Sequence, residues 1–126
     1  MFKMGHAAEF RRDAAGEGLL PAEVRALFPR MREIATVVYL SGGATVKEVQ
    51  ERIEDPLTVY GVRTLLNRLA RKGIVRRRRS GRHTEVLYLP AIVTPQLRQL
   101  ALRRFLDRDF DGSVSSALQT ISRLVP

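Results

Sequence analysis

The sequence predicts a mainly α fold with one small β-hairpin, and three observations carry that prediction. Apolar residues recur at helical spacing in three runs between Pro29 and Lys72. The pattern then switches to a period of two on either side of Ser80-Gly81, and beyond Thr94-Pro95 the helical period returns twice. Three short helices, a hairpin and two further helices make a winged helix-turn-helix followed by a two-helix tail.

Residues 1–18 mix Ala, Gly and charge without a sustained period, as a frayed lead-in does, and Pro21 opens a short helix reaching toward Phe28. The first firm helix starts at Pro29. It carries Met31, Ile34, Ala35, Val38 and Tyr39 on one face and stops at Ser41-Gly42-Gly43. Thr45 and Glu48 stand in the spacing of a capping box, which opens a second helix with Val46, Val49 and Ile53 as its stripe. Asp55-Pro56 breaks that helix. A third spans 58–72, with Arg71 and Lys72 at its negative end and Gly73 in the stop position.

Strands are expected over 74–79 and 84–89, and Pro90 closes the hairpin. Thr94-Pro95 caps a fourth helix bearing Leu97, Leu100, Ala101, Phe105 and Leu106, which ends near Gly112. Ser113 caps the last, with Val114, Ala117, Leu118, Ile121 and Leu124. This divides the chain into an extension over 1–27, a winged-helix domain over 28–92 and a helical region over 93–126.

The net charge of +9 is not spread evenly along the 126 residues. Residues 28–92 hold 13 Lys/Arg against 6 Asp/Glu, whereas 1–27 balance at 4 against 4 and 93–126 hold 5 against 3. A local basic excess is the footprint of a polyanion partner, nucleic acid foremost. The chain has no cysteine, which removes disulfides, thiolate metal sites and cysteine redox sensing. Its longest apolar stretch, 34–40 with Thr36 inside, is far too short to span a bilayer, and no secretory apolar core opens the N-terminus, so a cytoplasmic location is expected.

On a helical wheel Val62, Leu65, Leu66 and Leu69 of the third helix group toward a core. The opposite side presents Tyr60, Thr64, Asn67 and Arg71, flanked by Arg63 and Arg68, and of these Tyr60, Arg63, Thr64 and Asn67 are suited to reading base edges in a major groove. Arg68 and Arg71 are assigned to the DNA backbone. Arg76, Arg77, Arg78 and Arg79 then run into the hairpin tip, followed by Arg82 and His83. Arginines crowded there without an acid among them repel one another unless phosphates neutralise them, with release of condensed counterions. Arg77, Arg78, Arg79, Arg82 and His83 are accordingly assigned to the DNA backbone. Consecutive strand residues alternate faces, so only half of the run can meet one phosphate row.

The tail carries more apolar surface than a thin winged-helix core can cover. Leu97, Ala101, Leu102, Phe105, Leu106, Phe110, Leu118 and Ile121 form the expected contact with a second copy, and a two-fold dimer matches a palindromic site. Catalysis finds no footing. The imidazoles are His6 and His83 alone, no Gly-rich phosphate loop occurs, and Asp107, Asp109 and Asp111 lack the ligand loop a hard cation needs. No metal, cofactor or enzymatic activity is expected. The competing readings are a non-specific or architectural nucleic-acid binder, and a protein-interaction module whose tail takes another partner.

The segment Ala44-Thr45-Val46-Lys47-Glu48-Val49-Gln50, with Val62-Arg63-Thr64-Leu65-Leu66-Asn67-Arg68-Leu69 and Lys72-Gly73, resembles the BlaI/MecI penicillinase-repressor family, to which the CopY repressors are related. Leu102-Arg103-Arg104-Phe105-Leu106 is similar to that family's dimerisation region. The resemblance implies a homodimeric repressor in which each winged helix occupies one operator half-site and residues 60–64 open the base-reading helix. Arg63 and Thr64 fit that pattern, whereas Tyr60 and Gly61 replace the small hydroxyl residues common there. The metal-sensing cysteine tail of the CopY branch is absent. Family members are inactivated by a sensor protease that cuts between Asn and Phe. The corresponding bond here is Arg104-Phe105, which keeps the Phe and replaces the Asn.

Overall fold

The apolar periods become helices, and the structure, a computed structural model, describes residues 18–79 and 85–125. Its elements are α1 (Ala22–Arg25), α2 (Pro29–Ser41), β1 (Ala44–Thr45), α3 (Val46–Arg52), α4 (Val59–Arg71), β2 (Val75–Arg79), β3 (Val86–Pro90), α5 (Pro95–Asp109) and α6 (Val114–Leu124). This is the mainly α, winged helix-turn-helix architecture expected. Two compact units divide between Val93 and Thr94.

In the first unit α2 is the central element. Met31, Ile34, Ala35, Val38 and Tyr39 are buried as their spacing predicts, and Val37 and Leu40 are buried too, because α1, α3, α4 and β3 all pack around this helix. Val49 of α3, Val62, Leu66 and Leu69 of α4, and Val75 and Tyr88 of the sheet complete the core. Each fully buried aliphatic side chain contributes about 1.5–3 kcal/mol.

Three differences from the sequence expectation have local causes. The helix opened by Pro21 is a single turn, Ala22–Arg25, anchored by buried Val24 and preceded by buried Leu20. The sheet has three strands, in the order β1-β3-β2, because Ala44 and Thr45 pair with Tyr88 and Leu87 before α3 begins. Strand β3 runs one residue further than expected and ends on Pro90 itself, opposite Val75. β1 reaches only Leu87 and Tyr88, so β3 is locally an edge at Pro90 and its missing N–H breaks no ladder there. The expected lead-in lies, except for Gly18, outside the described residues.

The loop before β1 depends on glycine. Gly43 has φ +152°, and a Cβ there would meet Leu89 Cδ2 at 2.7 Å. Thr45 then closes the predicted capping box: its Oγ1 accepts from Glu48 N (3.2 Å) while its own N–H donates to Glu48 Oε1 (2.9 Å).

The hairpin is tied to α2 through one hydroxyl. Tyr39 donates its O–H to the Ile74 carbonyl and accepts from Ile92 N–H at 3.1 Å, so the residues entering β2 and leaving β3 share one phenol. Ala91 N–H also donates to the Ile74 carbonyl (3.1 Å). Burial, opposed by the hydrogen bonds to Ile92 and Ala91, raises the Tyr39 pKa above its usual value. The unfolded chain therefore releases this proton first, and the stability Tyr39 confers is present below about pH 10 and lost as pH rises toward the folded value. Tyr39→Phe keeps the ring but orphans the Ile92 N–H. Urea unfolding is expected to show a loss of about 1–3 kcal/mol with an unchanged m-value.

The second unit contains α5 and α6. Thr94 Oγ1 accepts from Leu97 N (3.2 Å) with Pro95 in the first turn, and Ser113 Oγ accepts from Ser116 N (3.1 Å). Leu97 and Ala117 are buried, whereas Leu102, Phe105, Leu118, Ile121 and Leu124 are exposed. Phe110 sets its ring edge-on to Phe105 at 5.5 Å, and Arg108 lies over the Phe105 ring at 5.8 Å.

Candidate nucleic-acid interface

Helix α4 is fixed at both ends by its own sequence. Thr58 Oγ1 accepts from Gly61 N at 2.9 Å. At the other end Gly73, at φ +77°, completes a Schellman motif, with Gly73 N–H donating to the Ala70 carbonyl and Ile74 N–H to that of Leu69, both at 3.0 Å. Val62, Leu66 and Leu69 seat one face in the core, while Leu65 is only half-buried. The turn before α4 is braced from α2 and α3. Arg30 pairs with Asp55 (3.0 Å), Glu33 Oε2 accepts from Glu54 N (3.1 Å), and Gln50 Nε2 donates to the Leu57 carbonyl (3.0 Å).

With its inner face locked, α4 turns Tyr60, Arg63, Arg68 and Arg71 to solvent. Tyr60, in the first turn of the helix, is 75% exposed. Gly61 and Thr64 are half-buried, and the Thr64 hydroxyl donates to the Tyr60 carbonyl at 2.9 Å, leaving its methyl and an oxygen lone pair as recognition groups. Asn67 is not free in the way a helical wheel suggests: its Oδ1 accepts from the Tyr88 hydroxyl at 2.8 Å. Bidentate pairing with adenine needs the amide turned edge-on to the base, and this bond takes one of the two Oδ1 lone pairs and fixes that rotation.

Hairpin register assigns the arginines to faces. Val75 is buried and Arg76, Arg77, Arg78 and Arg79 are all exposed. Arg77 lies opposite Tyr88 and Arg79 opposite Val86, so these two share the face whose Tyr88 reaches α4. Arg76 and Arg78, opposite Leu89 and Leu87, take the other. Arg82 and His83 lie outside the described residues.

Between α4, the start of α3 and this face of the wing runs a groove of about 390 Å³. Lys47, Arg63 and Arg77 line it against a single acid, Glu85, with Asn67 and Tyr88 also in the lining. Among the described residues, none of these three cations takes part in an ion pair. Sequence reasoning missed Lys47 and Tyr88. The alternation of β3 could have placed Tyr88 on the face of Arg77, but Lys47 is recruited by the tertiary packing of α3. Arg104 and Phe105, the bond aligned with the family's cleavage site, lie within helix α5.

The chain matches the family described as penicillinase repressor over residues 29–124. No curated protein matches it. Among solved structures it is similar to the crystal structure of a cysteine-to-serine mutant of MarR from E. coli, with a TM-score of 0.47 and 15% identity, over 99% of this chain and 93% of that one. Among the described residues no helix is long and apolar enough to cross a membrane. The family match runs from the first residue of α2 to the last of α6, and the chain belongs to the penicillinase repressor family.

Proposed function

We propose that this chain is a cytoplasmic, non-enzymatic transcriptional repressor that binds a palindromic operator as a homodimer, with α4 in the major groove and the wing on the backbone. The observation that carries the proposal is the convergence of Lys47, Arg63 and Arg77 on one groove between helix and wing, with Arg68, Arg71 and Arg79 exposed beyond it. Tyr60, Gly61, Arg63 and Thr64 face the bases, together with Asn67, whose acceptor end is already engaged. Arg68, Arg71, Arg77, Arg78, Arg79, Arg82 and His83 face phosphates.

Residues 28–92 form the DNA-binding domain in this reading and residues 93–126 the dimerisation region, while the extension over 1–27 has no assigned role. The exposed apolar residues of α5 and α6 supply the dimer contact, joined by Ala101, Leu106 and Phe110. Leu97, assigned to the same contact, is already buried in the single chain. Two copies then present two copies of α4 to half-sites about one helical turn apart. Cleavage at Arg104-Phe105 by a sensor protease is the family's route to release. At this position it requires α5 to unwind first, since a helical bond does not fit an extended protease cleft.

The deciding test is binding of the full chain to its own upstream region and to random duplex across a salt series. A dimer-stoichiometry complex on the upstream region, at least about 10³-fold tighter than on random duplex, is expected. Equal affinities that fade together with salt would instead establish the non-specific, architectural reading, which the arginine run of the wing favours.

A further inference from the structure

The bond between Tyr88 and Asn67 changes what Asn67 can read. Tyr88 is 2% exposed, so its hydroxyl needs a protein partner, and it finds Asn67 Oδ1 at 2.8 Å. An amide has one acceptor end and one donor end. The Tyr88 bond takes one of the two lone pairs of Oδ1 and fixes the rotation of the amide toward the wing strand, so that the end the recognition helix offers to the groove is Nδ2 with its hydrogens.

Resting on the repressor reading, we propose that Tyr88 makes Asn67 a donor-only reader of the operator. Asn67 then recognises any base whose major-groove edge offers an acceptor at the right height. It does not separate adenine, guanine and thymine, which offer N7, N7 with O6, and O4, and it rejects cytosine, whose edge offers only the N4 donor. Tyr88 touches no base in this scheme. It is a positioning residue that sets specificity through Asn67, and it couples the wing to the base-reading face in a single hydrogen bond.

Selection of bound duplexes from a random library by the full chain and three variants tests this. The wild type is expected to show one position per half-site at which adenine, guanine and thymine occur within about threefold of one another and cytosine is depleted. Asn67→Ala is expected to flatten that position alone. Tyr88→Phe frees Oδ1 and is expected to narrow it to adenine over guanine by on the order of tenfold, a gain of selectivity that a purely structural role for the hydroxyl would not produce. Asn67→Asp keeps an acceptor for Tyr88 but has no hydrogen to give, and is expected to switch the position to cytosine. It decides the matter if urea unfolding shows Tyr88→Phe to be unfolded. A wild-type position already restricted to adenine, or a motif unchanged by Asn67→Ala, overturns the inference while leaving the repressor reading intact. A wild type that enriches no motif at all overturns both.

Discussion

Leu118→Glu combined with Ile121→Glu is expected to convert the protein into a folded monomer that binds its operator about 10²–10⁴-fold more weakly. Both side chains lie on one stripe of α6 and are exposed, at 59% and 48%, so the substitutions remove less packing from the chain itself than a core change would. At a two-fold interface each new carboxylate would be desolvated, and symmetry brings the added charges close to their own copies, a like-charge arrangement worth several kcal/mol. Losing the partner turns the second half-site contact from an intramolecular event into a separate one, which is where the large factor arises. Sedimentation velocity reads the mass and a filter-binding titration reads the affinity. A retained dimer mass would move the self-association surface to another face, with Leu102 and Phe105 of α5 the next to test.

Replacing Arg77 and Arg79 together by Ala is expected to lower affinity for every duplex, and more than replacing Arg76 and Arg78. The distinction comes from the β2–β3 register, which puts Arg77 and Arg79 on the side of the sheet that faces α4. Each phosphate left without its arginine reduces the slope of log affinity against log salt by about 0.9, so the first pair removes about 1.8 and costs roughly sixtyfold at 0.1 M salt. The ratio of operator to random binding should change little, because phosphates carry no sequence. Equal losses from both pairs would mean that the wing lies edge-on to the backbone, with both of its faces in contact.

Much of this is legible in the sequence because it is written locally. The capping box at Thr45 and Glu48, the Gly73 stop and the Thr94-Pro95 start are signals spanning a few residues, and the helices obey them. Val62, Leu66 and Leu69 announce the inner face of α4 by spacing alone. What escapes depends on distant partners. A two-residue strand such as β1 has no period to detect, and exists only because β3 passes beside it. Asn67 reads as an open amide because nothing within its own helix uses it, while the group that does, Tyr88, is 21 residues away. Leu97, Leu102 and Phe105 read alike as apolar residues of α5, and only tertiary packing separates the buried Leu97 from the exposed pair.

The phenol of Tyr39, which holds the carbonyl of Ile74 and the amide of Ile92, has a bearing on how such proteins can be re-engineered. It pins the root of the hairpin, and β1 grips β3 a few residues further along. The alignment of the two long strands is thus settled before the chain reaches the turn between them. Insertions or deletions in that turn can be accommodated without shifting which arginine faces the helix, because the ladder is indexed from below. A graft of a longer or differently charged turn would then act as an interchangeable part, altering the grip on the backbone while the bases are read as before.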